Sequence, residues 1–171
     1  MSEKLIIREN DKIVDELDLL FVNDLQPIDF PLVHRFTDGM YIREIFMPQG
    51  SLLTSKIHKT THPYTISKGK VAVSIDGKEW TEYEAPFTGI TLAGTRRILY
   101  IISDCVWTTY HCVPMASESD NEFDEETKMK LIDVIEDEII EKHINSISGS
   151  NVNDEYKKIL SNNKNELLWH G

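Results

Sequence analysis

The residues of this chain whose type and spacing best suit chemistry are histidines. His58 and His62 lie four positions apart, with Thr60, Thr61 and Pro63 beside them. On an extended strand two such side chains would lie far apart, so a bend near Pro63 is needed to bring them together. Neutral imidazole is a common ligand of Zn, Fe, Mn and Ni. The pair therefore predicts part of a divalent metal site.

Two ligands make a weak metal site, so a third is required. His111 is the first candidate, because Trp107, Thr109 and His111 alternate along a strand-like segment and share one face. His34 is the second candidate. The alternative interpretation is that these histidines only form hydrogen bonds in a half-polar pocket mouth.

Eight short segments with a period of two fill the middle of the chain and predict β-strands. They span residues 40–47, 51–58, 64–68, 70–76, 79–84, 87–92, 96–103 and 105–113. Asp76-Gly77 is a strong hairpin signal. Within 70–76 we expect Val71, Val73 and Ile75 to face the core, and Ala72 and Ser74 to face outward. The spacing predicts an antiparallel sandwich or barrel.

Helical periodicity appears on both sides of this β region. Residues 11–22 predict a short amphipathic helix, and residues 124–145 a longer one. The longer helix has acidic residues at its start and one apolar face, made of Ile132, Ile135 and Ile139. A weaker helix is expected at about 154–168. We therefore divide the chain into an N-terminal helical arm and loop (1–35), a β-barrel (36–115) and an acidic C-terminal helical extension (116–171).

The net charge of −11 lies outside the β region. Residues 36–115 carry eight basic and seven acidic groups, whereas residues 116–171 carry six and fourteen. Such an acidic chain repels phosphate backbones, so nucleic-acid binding is not expected. No apolar stretch is long enough to span a membrane, and no secretory segment precedes the first helix. We expect a cytoplasmic protein.

The β region resembles the cupin family in two motifs. In the first, Gly69 of ISKGKV matches the closing glycine, which puts His62 at the family's glutamate, and His58 and Lys56 at its two histidines. In the second, LAGTRR places Arg97 at the last metal histidine. The resemblance covers somewhat less than half of the chain. It implies a double-stranded β-helix, or jelly-roll barrel.

The resemblance also implies that Lys56 and Arg97 point into the barrel. Two histidines with a lysine and an arginine would hold an anion, since arginine binds carboxylate or phosphate through two parallel hydrogen bonds. Trp107 and Thr109 complete the predicted ligand-binding residues, with core packing as the alternative for Trp107. In the alternative for the arginines, Arg96 points outward, and Arg97 pairs with Glu44 or Glu82 and binds no ligand.

Three longer segments, GSLLTSKIHKTTHPYTISKGKV, EYEAPFTGITLAGTRRILY and VWTTYH, are similar to small cupin-like proteins of tailed bacteriophages. This resemblance implies a protein of the bacterial host cytoplasm and no particular activity. We expect the chain to bind a small anionic ligand, with or without a divalent metal, and to form a homo-oligomer, most simply a dimer. The alternatives are a metal-dependent oxygenase or isomerase, and an interaction protein that uses its acidic helices.

Overall fold

The computed structural model describes residues 14–18, 30–113, 122–139 and 150–151. These residues form one antiparallel sheet of eight strands, a helical segment at 14–18 (α1) and a helix at Glu125–Ile139 (α2). The strands are β1 (Leu32–Thr37), β2 (Met40–Met47), β3 (Ser51–Thr54), β4 (His62–Ser74), β5 (Thr81–Glu84), β6 (Phe87–Thr91), β7 (Ile98–Cys112) and β8 (Ser150–Asn151). The predicted mainly-β antiparallel fold, with a short N-terminal helix and a C-terminal helix, is confirmed.

Two long strands, β4 and β7, organise the sheet. They pair with each other along most of their lengths. The first part of β7 also pairs with β3 and its last part with β2, while β4 pairs with β6 at its start and with β5 near its end. The predicted strands 64–68 and 70–76 are thus one strand, as are 96–103 and 105–113.

Gly69 explains why β4 is one strand where the sequence predicted two, 64–68 and 70–76. The β4–β7 register shifts between Ile66 and Val71, and Gly69 lies there with φ of +87°. A Cβ atom at Gly69 would lie 2.1 Å from the carbonyl oxygen of Asp104. Glycine therefore marks an irregularity at which two paired strands press together, and neither strand ends there.

Three details of the strand prediction were wrong. The loop expected before residue 40 contains β1, an edge strand in which Phe36 lies opposite Tyr41 of β2. The predicted strand 51–58 ends at Thr54. Ala72 and Ser74 of β4 were expected to face outward and are buried, whereas Ile75, expected in the core, lies just past the strand and is 56% exposed. The strand stops at Ser74 because its hydroxyl accepts a hydrogen bond from the Gly77 backbone amide in the turn (2.8 Å).

Helix α2 packs against the sheet of its own chain. Asp124 caps the helix, accepting a hydrogen bond from the Thr127 amide (2.9 Å). The predicted apolar face is buried in a cluster formed with β1, β2 and the end of β7: Phe36, Tyr41, Val113, Ile132, Ile135 and Ile139. The prediction for this face is confirmed. The predicted helix at 154–168, and the remainder of 11–22 and 124–145, lie outside the described residues.

Candidate functional site

The structure places His58, His62 and His111 side by side. His58 follows β3, His62 begins β4 and His111 lies near the end of β7. Their ring centroids are 4.4 Å apart for His58–His62 and His62–His111, and 5.0 Å apart for His58–His111. One potential ligand atom from each residue lies within 4.8 Å of the others. His34 lies elsewhere, with Nδ1 2.6 Å from the Tyr41 hydroxyl.

Backbone hydrogen bonds fix the segment that carries His58. The Ser55 amide donates to the Arg97 carbonyl, and the Gly94 amide donates to the His58 carbonyl, both at 2.8 Å. At the other end of the segment the Lys59 amide donates to the carbonyl of Ile139, the last described residue of α2 (2.8 Å). The residues that follow β3 are therefore held between the start of β7 and helix α2.

Hydrogen bonding leaves ring nitrogens available at the cluster. His62 Nδ1 lies 3.1 Å from the Thr60 carbonyl, which only accepts, so Nδ1 carries the proton and Nε2 presents a lone pair. His111 Nε2 lies 2.9 Å from the Thr109 hydroxyl. Among the described residues, His58 Nε2 and His111 Nδ1 are buried with no hydrogen-bond partner. Buried polar atoms without partners call for an explanation.

Burial keeps these imidazoles neutral. It lowers the pKa of His58 and of His111 to about 3, with the neighbouring histidines adding to the effect. Burial also lowers the pKa of His62. At neutral pH all three rings are therefore uncharged, which is the form that binds a metal ion.

The histidine cluster fits a divalent ion in chemistry and nearly in geometry. Two nitrogens bound to one tetrahedral ion at about 2.0–2.1 Å lie roughly 3.3 Å apart. The 4.8 Å span of the cluster is wider, so small rotations of the rings are needed to close it. Three protein ligands with a remaining open position are typical of metal sites that bind substrate or water.

A cavity of about 110 Å³ adjoins two of the histidines. One part of its lining is apolar: Ile45, Met47, Leu53, Leu99 and Trp107. Another part is polar and includes the predicted ligand-binding residues Lys56, Arg97 and Thr109 and the predicted metal ligands His58 and His62. The structure thus gathers these residues around one space, while their role in binding stays a prediction.

Arg97 enters this cavity without a carboxylate partner among the described residues. Its Nη1 donates to the Thr91 hydroxyl (2.9 Å), and its guanidinium lies 5.4 Å from the centre of the Tyr64 ring. Burial lowers its pKa. The alternative in which Arg97 pairs with Glu44 or Glu82 is wrong, because Glu44 contacts Arg35, and Glu82 contacts Lys70.

Lys56 lines the cavity but has an acidic partner. Glu136 of α2 lies 3.4 Å from Lys56 Nζ and 3.7 Å from Arg43 Nε. Arg43 also lines the cavity, and its buried Nε has no hydrogen bond among the described residues. The sequence analysis missed Arg43, although the alternation of Tyr41, Arg43 and Ile45 in MYIREIFM puts it on an otherwise apolar face.

Arg96 is buried, so the interpretation in which it points outward is wrong. Only 5% of the residue is exposed, and its guanidinium contacts Asp15 at 2.6 Å and Asp18 at 2.5 Å. Asp18 also accepts a hydrogen bond from the Thr54 hydroxyl (2.6 Å). This ion pair joins α1 to the start of β7 beneath the cavity residue Thr54.

The Trp107 side chain borders the cavity and also packs in the core. It lines the cavity and also stacks on Tyr64, with ring centroids 4.3 Å apart and planes 13° from parallel. Tyr64 in turn lies under the Arg97 guanidinium. The order Trp107, Tyr64, Arg97 is a stack of planar groups that supports one side of the cavity.

No family model and no curated protein matches this sequence. Solved structures that share part of the fold include an HTH_3-family transcriptional regulator from Vibrio cholerae (16% identity, 57% of this chain, 64% of that one, TM-score 0.42). A second is an acetylacetone dioxygenase from Acinetobacter johnsonii (19% identity, 48% of this chain, 58% of that one, TM-score 0.39). A third is an RmlC-like cupin with a double-stranded β-helix from Methanocaldococcus jannaschii (11% identity, 58% of this chain, 94% of that one, TM-score 0.39). The chain spans less than two thirds of the first two.

Within the part of the chain that the structure describes, no helix has the length and apolar character needed to cross a membrane.

Proposed function

We propose that this protein binds one divalent metal ion through His58, His62 and His111, and a small anionic ligand beside it in the cavity. The observation that carries the proposal is the pair of buried ring nitrogens, His58 Nε2 and His111 Nδ1, that have no partner among the described residues. A metal ion would accept lone pairs from these buried nitrogens, because the imidazoles are held neutral and their ligand atoms lie close together. Zn, Fe, Mn and Ni all accept this ligand set.

The anionic ligand is supported by the other side of the cavity. Arg97 is a half-buried cation that contacts a hydroxyl and an aromatic ring, and neither neutralises its charge. Burying a charge without a counter-charge is costly, so an anion that enters the cavity would be stabilised there. The ligand and the ion would share the space that His58 and His62 line.

Metal analysis of protein made without a histidine tag tests the proposal. We expect about one ion per chain, and divalent metal should raise the melting temperature of chelator-treated protein. His62→Gln should lose both effects. His34→Gln is the matched control, because His34 contacts Tyr41 and lies outside the cluster, and it should retain both. Wild-type protein that neither retains metal nor melts higher with it would contradict the proposal.

An enzyme, as a metal-dependent oxygenase or isomerase, is the second candidate. Three metal ligands with an open position beside a cavity favour it. However, the described residues that line the cavity include no carboxylate, so proton transfer there would fall to histidine or to a hydroxyl. Turnover of an added substrate that requires the metal, and is lost in His62→Gln, would identify an enzyme.

The other sequence-based expectations remain proposals. We propose a homodimer in the bacterial host cytoplasm, in keeping with the resemblance to phage-encoded proteins. The face of α2 made of Ile132, Ile135 and Ile139 is already covered by its own chain, so it is unavailable to a partner. A dimer, or a docking partner for the acidic helix, would therefore use other surfaces. Light scattering that finds only monomer would contradict the dimer.

A further inference from the structure

We infer that the anionic ligand is a small aliphatic monocarboxylate, whose carboxylate binds Arg97 and whose apolar body packs on Leu53, Leu99 and Trp107. The inference rests on the proposed function, since it names the chemical class of the anion in the same cavity. Four features of the cavity lead to it: which cation lacks a partner, how its donors are held, what lines the remaining wall, and how much space there is.

Charge selects Arg97 as the anchor. Three cations line the cavity, Arg43, Lys56 and Arg97. Glu136 lies within 3.7 Å of the first two, whereas no described carboxylate lies within ion-pair distance of Arg97. An incoming anion therefore finds one unpaired guanidinium and need not displace an acidic side chain. This arrangement favours a ligand with one negative charge.

The position of the Arg97 guanidinium suits a planar acid. Thr91 engages Nη1, and the guanidinium carbon lies over the Tyr64 ring, 5.4 Å from its centre. The remaining N–H donors lie in the guanidinium plane, where a carboxylate can accept two parallel hydrogen bonds. Thr91, which accepts the hydrogen bond from Arg97, is the sheet neighbour of His62. The carboxylate would thus lie on the histidine side of the cavity.

The apolar lining distinguishes a carboxylate with a hydrocarbon body from inorganic phosphate. One wall of the cavity consists of carbon atoms that form no hydrogen bonds, from Leu53, Leu99 and Trp107. Ile45 and Met47 extend this apolar surface. Phosphate is polar in every direction, so it would leave oxygens without partners against this wall. A carboxylate with an alkyl chain has one polar end, and its apolar chain gains from burial against this wall.

The space limits the length of the chain. The cavity holds about 110 Å³. An apolar cavity of about 150 Å³ accepts benzene, so this one suits a body of roughly three to five carbons. Butanoate is therefore a suitable probe, and butanamide is its neutral counterpart of nearly equal shape.

Amide NMR titrations test the inference, because they measure weak dissociation constants. Butanoate, butanamide and inorganic phosphate are each added to chelator-treated and to zinc-loaded protein. We expect butanoate to bind at least tenfold more tightly than butanamide or phosphate, and Arg97→Gln to weaken butanoate at least tenfold. Arg35→Gln is the matched control, since Arg35 is half exposed, contacts Glu44 and does not line the cavity. It should bind butanoate as wild type does.

The outcomes separate this inference from the metal proposal. Butanoate binding that depends on Arg97 in chelator-treated protein supports the inference even where zinc fails to bind. Zinc that binds through the histidines, with no butanoate response in either form of the protein, overturns the inference alone. Phosphate that binds as tightly as butanoate, or butanoate binding unchanged in Arg97→Gln, also overturns it.

Discussion

Arg96 and Arg97 are neighbours in the sequence and have opposite surroundings. Arg96 is 5% exposed and contacts two carboxylates, Asp15 and Asp18, that come from α1. Arg97 turns to the cavity, where it meets the Thr91 hydroxyl and the Tyr64 ring. The buried Arg96 is therefore paired with carboxylates within the described residues, and the half-buried Arg97 is not.

The difference separates a structural charge from one available to a ligand. Taking a guanidinium out of water costs several kcal/mol, and a carboxylate that is well placed offsets most of that cost. Arg96 has this compensation in the folded chain, so its removal would leave Asp18 buried without its main partner. Arg97 lacks it, so its removal relieves a cost and leaves no described acid unpaired.

Replacing Arg96 should have the largest effect on stability. Arg96→Met removes both ion pairs and leaves Asp18, 1% exposed, with the Thr54 hydroxyl as its remaining partner among the described residues. We expect the free energy of unfolding to fall by about 3–5 kcal/mol. Urea unfolding followed by circular dichroism measures the change.

A surface arginine provides the control for Arg96. The Arg35–Glu44 pair is partly exposed, and such pairs contribute about 0–1 kcal/mol, so Arg35→Met should unfold nearly as wild type does. Equal losses for Arg96→Met and Arg35→Met would show that the ion pair to α1 does not hold the fold together.

Acid should destabilise the metal-free protein through the histidine cluster. The pKa of His58 and of His111 is about 3 in the folded protein and about 6.5 when unfolded, so folding favours the neutral rings. Their contribution is fully present above pH 6.5 and is lost as the pH falls toward 3. Between pH 7 and pH 5 we expect a loss of roughly 2 kcal/mol for each of the two histidines, about 4 kcal/mol together.

The pH dependence should belong to the histidine cluster. Urea unfolding of chelator-treated His58→Gln at pH 7 and pH 5 should show a smaller difference than wild type shows. Arg35→Met, whose side chain is half exposed and outside the cluster, should keep the wild-type difference. A histidine variant with an unchanged pH dependence would mean that other groups bind the protons.

The same two arginines show what could be predicted from the sequence. The period of two correctly indicated most strands, and the face that joins Trp107, Thr109 and His111 follows from that alternation. The resemblance of LAGTRR to the second cupin motif implied that the Arg97 side chain enters the barrel, and the structure places it in the cavity lining. The strand alternation is a local pattern, and local geometry fixes it.

What the sequence could not reveal depends on contacts between distant segments. The partners of Arg96 lie 78 and 81 residues away, on a helix whose docking no periodicity encodes. Glu136 reaches Lys56 across 80 residues in the same way. The sequence predicted that one strand ends before Gly69 and another begins after it. In the structure β4 continues through Gly69, because the glycine allows the backbone of Asp104 on β7 to approach closely.

Replacing Arg97 should have the smallest effect on stability, and it completes the comparison. Arg97→Leu removes a hydrogen bond to Thr91 and a contact with Tyr64, and it also removes the cost of a half-buried cation without a described acid. Because leucine suits the neighbouring Leu99 and Trp107, we expect the free energy of unfolding to change by less than about 1 kcal/mol, in either direction. Urea unfolding measured beside Arg96→Met tests this. If Arg97→Leu lost as much stability as Arg96→Met, Arg97 would have a structural acid after all, and the cavity would lose its free anchor for an anion.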